Sequence, residues 1–255
     1  MNLLKCILTA NDCYKKGKKI TPKGVMVHST GANNPTMKRY AQPLKTDSDY
    51  AALTQKPGVN RNGNHWNRSG LNVCVHAFIG KLADGTVGTV QTLPWNHRGW
   101  HSGTGKKGSA NDTHISFEIC EDGLTDSVYF NKVYREAVEL TAMLCKEYKL
   151  DPLADGVIIC HSEGYKRGIA SNHGDVMHWF PKHGKSMGTF RNDVKAQMGT
   201  ASPKTFTVKA TDADVYSAPA ATKISGVYTI TEEKNGYGKL KSGVGWVKLS
   251  DVKRL

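Results

Sequence analysis

Apolar residues fall along this chain in two rhythms. Short β-branched runs at Val25-Met26-Val27, Ile115-Ser116-Phe117-Glu118-Ile119 and 156–160 read as strands. Between the last two runs, Val133, Ala137, Leu140, Leu144 and Tyr148 recur at spacings of three and four, which predicts a helix over 130–148 closed by Asp151-Pro152. A second helix is predicted over 185–198, with Phe190, Val194 and Met198 on one side and Gly199 as its stop. Strands alternating with helices predict an α/β domain. The Gly/Asn-rich stretches 31–70 and 99–112 are long for a compact domain, and loops of that length usually carry function.

The texture changes after Gly199. Residues 199–205 are small, polar and broken by Pro203, as in a linker. Four alternating segments follow at 207–210, 227–231, 238–241 and 245–249, punctuated by Asn235-Gly236 and Ser242-Gly243. They predict a small all-β barrel.

Chemistry gathers at the ends of the strands. His28 ends the first run, Glu118 sits inside the second, His161 follows the third, and Asn172-His173-Gly174-Asp175 comes shortly after. Two neutral imidazoles and a carboxylate would make a three-ligand catalytic zinc site whose fourth position admits water, and a nearby non-ligand Glu could take that water's proton. A lone histidine is more often structural, and His65, His76, His97, His114 and His183 are read that way. His28 and His161 differ because each leaves an apolar strand at the edge of a sheet. Glu118 is costly in an apolar strand, so it is read either as catalytic or as the buried partner of an Arg or His.

Composition narrows the field without choosing a function. The chain has 255 residues, 38% hydrophobic and 22% charged, which suits one sizeable core plus a small module. Its first residues lack the apolar core of a secretory signal, and no run approaches a membrane span, so the chain is expected to be made in the cytosol without membrane insertion. Six cysteines without paired spacing are expected to be buried, reduced thiols. A net charge of +13 implies a polyanionic neighbour, but Lys15, Lys16, Lys18 and Lys19 form only one short cluster, which argues against a nucleic-acid face.

The motifs, taken in order, resemble the type 2 N-acetylmuramoyl-L-alanine amidases, the superfamily that includes the peptidoglycan recognition proteins. The resemblance spans most of 20–199. It rests on Val27-His28-Ser29-Thr30, on Val75-His76-Ala77-Phe78-Ile79-Gly80 with Asp84-Gly85, on Trp100-His101-Ser102-Gly103, on Glu118 in its strand and on Cys160-His161. It implies a central mixed β-sheet flanked by helices, with zinc held by His28, His161 and Asp175 and with Glu118 as acid/base. Relatives usually carry Lys two positions before the third ligand. Here His173 stands in that place, to stabilise the oxyanion; His173 and His178 remain alternative ligands. His101 and Trp100 would contact substrate, and the Gly/Asn-rich loops would rim an open groove.

The tail, through Asn235-Gly236-Tyr237-Gly238-Lys239-Leu240 and Gly245-Trp246-Val247-Lys248-Leu249, resembles bacterial SH3-like wall-binding domains. The resemblance therefore implies a catalytic domain at 1–199, a linker at 200–205 and a wall-binding domain at 206–255. Together they have the make-up of a phage or prophage endolysin, released from the producing cell's cytoplasm to act on peptidoglycan and its anionic polymers. A non-catalytic peptidoglycan-binding protein and a zinc endopeptidase are the rival readings.

Overall fold

The computed structural model describes residues 1–199, 206–216, 221–243 and 245–255, so the predicted linker at 200–205 lies outside the described residues. In chain order the elements are β1 (Leu3–Lys5), α1 (Asp12–Lys16), β2 (Gly24–Ser29), α2 (Tyr50–Gln55), β3 (Ala77–Lys81), β4 (Val87–Gln91), β5 (His114–Ile119), α3 (Ser127–Glu147), β6 (Ile158–Cys160), α4 (His161–Arg167) and α5 (Met187–Gly199). The tail adds β7 (Phe206–Tyr216), β8 (Ala221–Lys234), β9 (Tyr237–Leu240), β10 (Trp246–Lys248) and β11 (Val252–Arg254). The chain divides into two compact units, Met1–Met198 and Gly199–Leu255.

The first unit is built on a six-stranded mixed sheet in the order β1-β4-β3-β5-β2-β6, antiparallel only between β3 and β4. Because successive strand residues point to opposite faces, β2 and β5 sort their side chains in step. Val25, Val27, Ile115, Phe117 and Ile119 turn to one face and join the main core with α3 and α5 residues such as Phe130, Leu140 and Phe190. Met26 turns to the other face. His28 and Glu118 share that side, and they are register partners on adjacent parallel strands.

The helices begin where caps allow. The helix predicted from residue 130 starts at Ser127, because the Asp126 carboxylate accepts the backbone N–H groups of Val128 and Tyr129 at 2.9 and 3.0 Å. The helix predicted from 185 starts at Met187, where Ser186 Oγ accepts the Thr189 N–H at 3.1 Å. The strand predicted over 156–160 is shorter, Ile158–Cys160, because Gly156 is in a left-handed turn at φ 76°. All six cysteines are free and buried, as expected.

The second unit is an antiparallel sheet ordered β10-β9-β8-β7-β11, curled so that β10 also pairs with β7. Val208, Ala213, Ile230, Leu240 and Val247 form its core. Both predicted turns hold, with Asn235, Gly236 and Gly243 at φ 51°, 80° and 77°. Among the described residues, no helix is long and apolar enough to cross a membrane.

His76, read from the sequence as structural, ties β3 to β5. Its Nδ1 accepts the Ser116 N–H at 3.0 Å while Nε2–H donates to the His97 carbonyl at 2.8 Å, and the residue is fully buried. Burial lowers its pKa to about 4. The folded form therefore keeps His76 neutral while the unfolded chain takes up a proton below about pH 6.5. Its stabilising contribution is complete above that pH and is lost progressively toward pH 4, by on the order of 3 kcal/mol. Urea unfolding from pH 7 to pH 4 should show a steeper loss for the wild-type protein than for His76→Gln, which has no proton to gain.

Candidate metal centre and catalytic cleft

A cavity of about 940 Å³ opens above the carboxyl ends of β2 and β5. His28 is the fifth residue of β2, and Glu118 lies opposite it on β5. His161 directly follows a strand, as the sequence reading has it. It is the first residue of α4, placed directly where β6 stops. Asp175 comes from the segment between α4 and α5.

Four residues thus come from four segments, and three of them converge. His28 Nδ1 lies 3.0 Å from Asp175 Oδ2 and 3.2 Å from His161 Nδ1, and His161 Nδ1 lies 3.6 Å from Asp175 Oδ1. At these separations no water fits between the atoms, and His28 and His161 are only 1% and 4% exposed. The ligand atoms of a tetrahedral zinc, each ~2.0–2.1 Å from the metal, stand roughly 3.3 Å apart. Spacing and donor types both suit that ion, and these three residues form the cluster capable of holding a metal among the described residues.

The outer nitrogens fix the rings. Ser171 Oγ donates to the Ser102 carbonyl at 3.2 Å, so it can accept from His161 Nε2, 3.3 Å away, which leaves the Nδ1 lone pair free. His28 Nε2 lies 3.1 Å from His101 Nδ1. With His28 donating there, His101 carries its own proton on Nε2, a buried atom with no partner.

Electrostatics separates the acids. Burial raises the Asp175 pKa, but the His28 hydrogen bond and the charges of His28 and His161 outweigh it and bring the carboxyl below its usual range. Glu118 goes the other way, raised well above the carboxylate range by burial and then by Asp175 and Glu121. Its Oε2 is buried without a hydrogen-bond partner, so the sequence alternative of an Arg or His partner for that oxygen is not met. Burial, with His28 next, lowers His161 to about 4, and burial likewise holds His101 well below the imidazole range.

The remaining predicted residues separate into two groups. His173 stacks on His161 at 4.6 Å between ring centroids and lines the cleft outside the three-atom cluster. Trp100 is 37% exposed at the rim, backed by the Arg98 guanidinium 5.3 Å from its ring. His178 is turned away from the cluster toward Glu121, with Nε2 2.9 Å from Oε1. Both long loops reach the cleft, 31–70 through Trp66 and 99–112 through Trp100 and His101.

Sequence reading misses the braces. The Asn111 Oδ1 accepts the N–H groups of His101 and Ser102 at 2.7 and 3.1 Å, and Glu121 Oε1 accepts the Gly31 N–H at 3.1 Å. Asparagine in an Asn-rich loop gives no signal of such a role, and Glu121 is masked by the more conspicuous Glu118. Asn111→Ala should leave the buried Ser102 N–H and the partly buried His101 N–H unpaired and destabilise the unit by about 2–4 kcal/mol. Hydrogen exchange should show the 99–112 loop opening more readily than β5.

The profile of the family described as N-acetylmuramoyl-L-alanine amidase matches residues 17–178. None of the curated proteins compared matches the chain. Among solved structures, Staphylococcus aureus hydrolase AmiA in complex with its ligand is 16% identical, aligned over 78% of this chain and 83% of its own, with a TM-score of 0.51. PlyL is 18% identical over 76% of this chain and 97% of its own, with a TM-score of 0.50. At these identities the likeness concerns the fold.

Proposed function

The chain belongs to the N-acetylmuramoyl-L-alanine amidase family, and on that premise we propose that it is a zinc-dependent hydrolase cutting the amide between N-acetylmuramic acid and L-alanine in peptidoglycan. The observation that carries this reading is the convergence of His28, His161 and Asp175 beside the unpartnered carboxylate oxygen of Glu118. Zinc bound by those three residues would supply Lewis acidity toward the scissile carbonyl and a water acidic near neutral pH.

The chain's own groups do the rest. Glu118 accepts the proton of the attacking water and returns it to the L-alanine nitrogen as the carbon–nitrogen bond breaks. Its Oε2 has no competing donor, which leaves that oxygen available for the transfer. His173 lines the cleft as a donor toward the developing oxyanion, and His101 lines it beside the substrate. Trp100 offers its exposed ring to substrate at the rim.

The second unit we assign to wall binding as an SH3-like domain, supported by its curled antiparallel sheet and its Asn-Gly hairpin. A wall-cutting unit joined to a wall-holding unit fits a phage or prophage endolysin.

Digestion of purified peptidoglycan followed by mass spectrometry tests the reaction. Stem peptides with L-alanine as a free amino terminus, and muramic acid with a free lactyl carboxyl, are expected; cleavage within the stem or cross-bridge would identify an endopeptidase, and no cleavage a binding protein. Glu118→Gln should retain zinc and lose ~10²–10⁴-fold in turnover. Asp175→Ala should lose the metal, whereas His173→Ala should keep it and act more slowly.

A chain ending at residue 199 should cleave a soluble muropeptide normally while losing activity on intact walls, because tethering raises local substrate concentration without changing the chemistry. Loss of soluble-substrate cleavage on truncation would contradict the separation of roles.

A further inference from the structure

A second cavity, of about 690 Å³, lies beside the catalytic cleft between the turn at 104–108 and the last turn of α4. Ser171 lines both cavities, and its Oγ is 3.3 Å from His161 Nε2, so the two spaces share a wall close to the metal-ligand cluster. Four cations surround the second cavity: Lys106 and Lys107 from the turn, Lys166 and Arg167 from the helix. Arg167 is paired with Asp155. Among the described residues, no ion pair is formed by Lys106, Lys107 or Lys166, and all three are exposed.

The turn is pinned to the helix end by backbone rather than by the cations themselves. Lys107 N–H donates to the Gly168 carbonyl at 2.8 Å, and Gly105 packs so closely that a Cβ there would stand 2.2 Å from the same oxygen. Lys166 and Arg167 complement the negative end of the α4 dipole, which accounts for their presence locally. That account does not reach Lys106 and Lys107, which come from another segment and line the same space.

We propose that this cavity binds the phosphodiester backbone of an anionic cell-wall polymer and so leads polymer-bearing strands to the cleft. The inference rests on the reading of the protein as a wall hydrolase. One carboxylate of a peptide is neutralised by one cation, whereas four cations around one cavity, three without acidic partners, match a chain of repeated negative charges. Lysine is a compact point charge suited to phosphate. Tyr165, 49% exposed at the cavity, adds ring surface for the sugar or polyol between phosphates.

The test uses the full chain, its triple variant Lys106→Ala/Lys107→Ala/Lys166→Ala, and the corresponding triple Lys→Arg variant. The probes are purified poly(glycerol phosphate), a soluble muropeptide, and walls with and without their phosphate polymers. The triple Ala variant should bind poly(glycerol phosphate) roughly tenfold more weakly at low salt, with the difference gone near ~1 M salt, while the Arg variant binds as the wild type does. On walls the Ala variant should fall behind only where the phosphate polymer is present, and kcat/KM on the muropeptide should not change.

Equal polymer binding by wild type and triple Ala variant would overturn the proposal. So would a raised KM for the muropeptide with polymer binding intact, which would assign the lysines to stem carboxylates. Because residues 206–255 are common to all forms, their own affinity for walls cancels in the comparison. If no form cleaves the muropeptide, the hydrolase reading fails, while the polymer-binding measurement still decides this site.

Discussion

Two imidazole nitrogens and a carboxylate oxygen held 3.0–3.6 Å apart are stable together only with positive charge among them, a proton on His28 or a metal ion. The surroundings keep them there. Ser171 and His101 occupy the outer nitrogens of the two rings, so neither imidazole can turn away without losing a partner. Glu121 is already engaged by Gly31 and His178. That leaves Glu118 with an unengaged buried oxygen, and the same cleft drives the Glu118 and Asp175 pKa values in opposite directions. Carboxyls so separated can take different roles, one holding charge and the other moving protons.

The sheet makes this arrangement cheap to build. Parallel pairing of β2 with both β5 and β6 brings the carboxyl ends of three strands together, and alternation gives one face to the core and the other to chemistry. A slip of one residue in β2 would exchange His28 with Val27, burying an imidazole against α3 and opening the cleft to a methyl group. The apolar face therefore specifies the register on which the polar face depends.

Much of this is legible in the sequence, for physical reasons. Long periodic elements such as α3 announce themselves, and a Glu inside Ile-Ser-Phe-Glu-Ile stands out because burial of a carboxylate is expensive. Strand β1, three residues long, is too short to show alternation. The sequence also gives no sign that a helix begins at His161 itself, since nothing in Cys160-His161-Ser162-Glu163 separates a strand end from a helix start. Glu163 in fact caps that helix, accepting the Cys160 N–H at 3.2 Å. Braces such as Asn111 and Ser171 are invisible for another reason: their importance lies in tertiary partners 9 to 69 residues away, and Asn and Ser are ordinary loop residues.

His28 and Asp175 are 147 positions apart in the chain and 3.0 Å apart in space. A ribosome therefore releases His28 long before it has made the residues that complete the cluster. Until Asp175 has emerged and the strands have paired, the nascent polypeptide lacks the three-residue cluster, whatever its length. The same holds for any proteolytic fragment that ends before residue 175. Assembly of the ligand cluster is thus timed by chain connectivity and waits for the segment that carries Asp175.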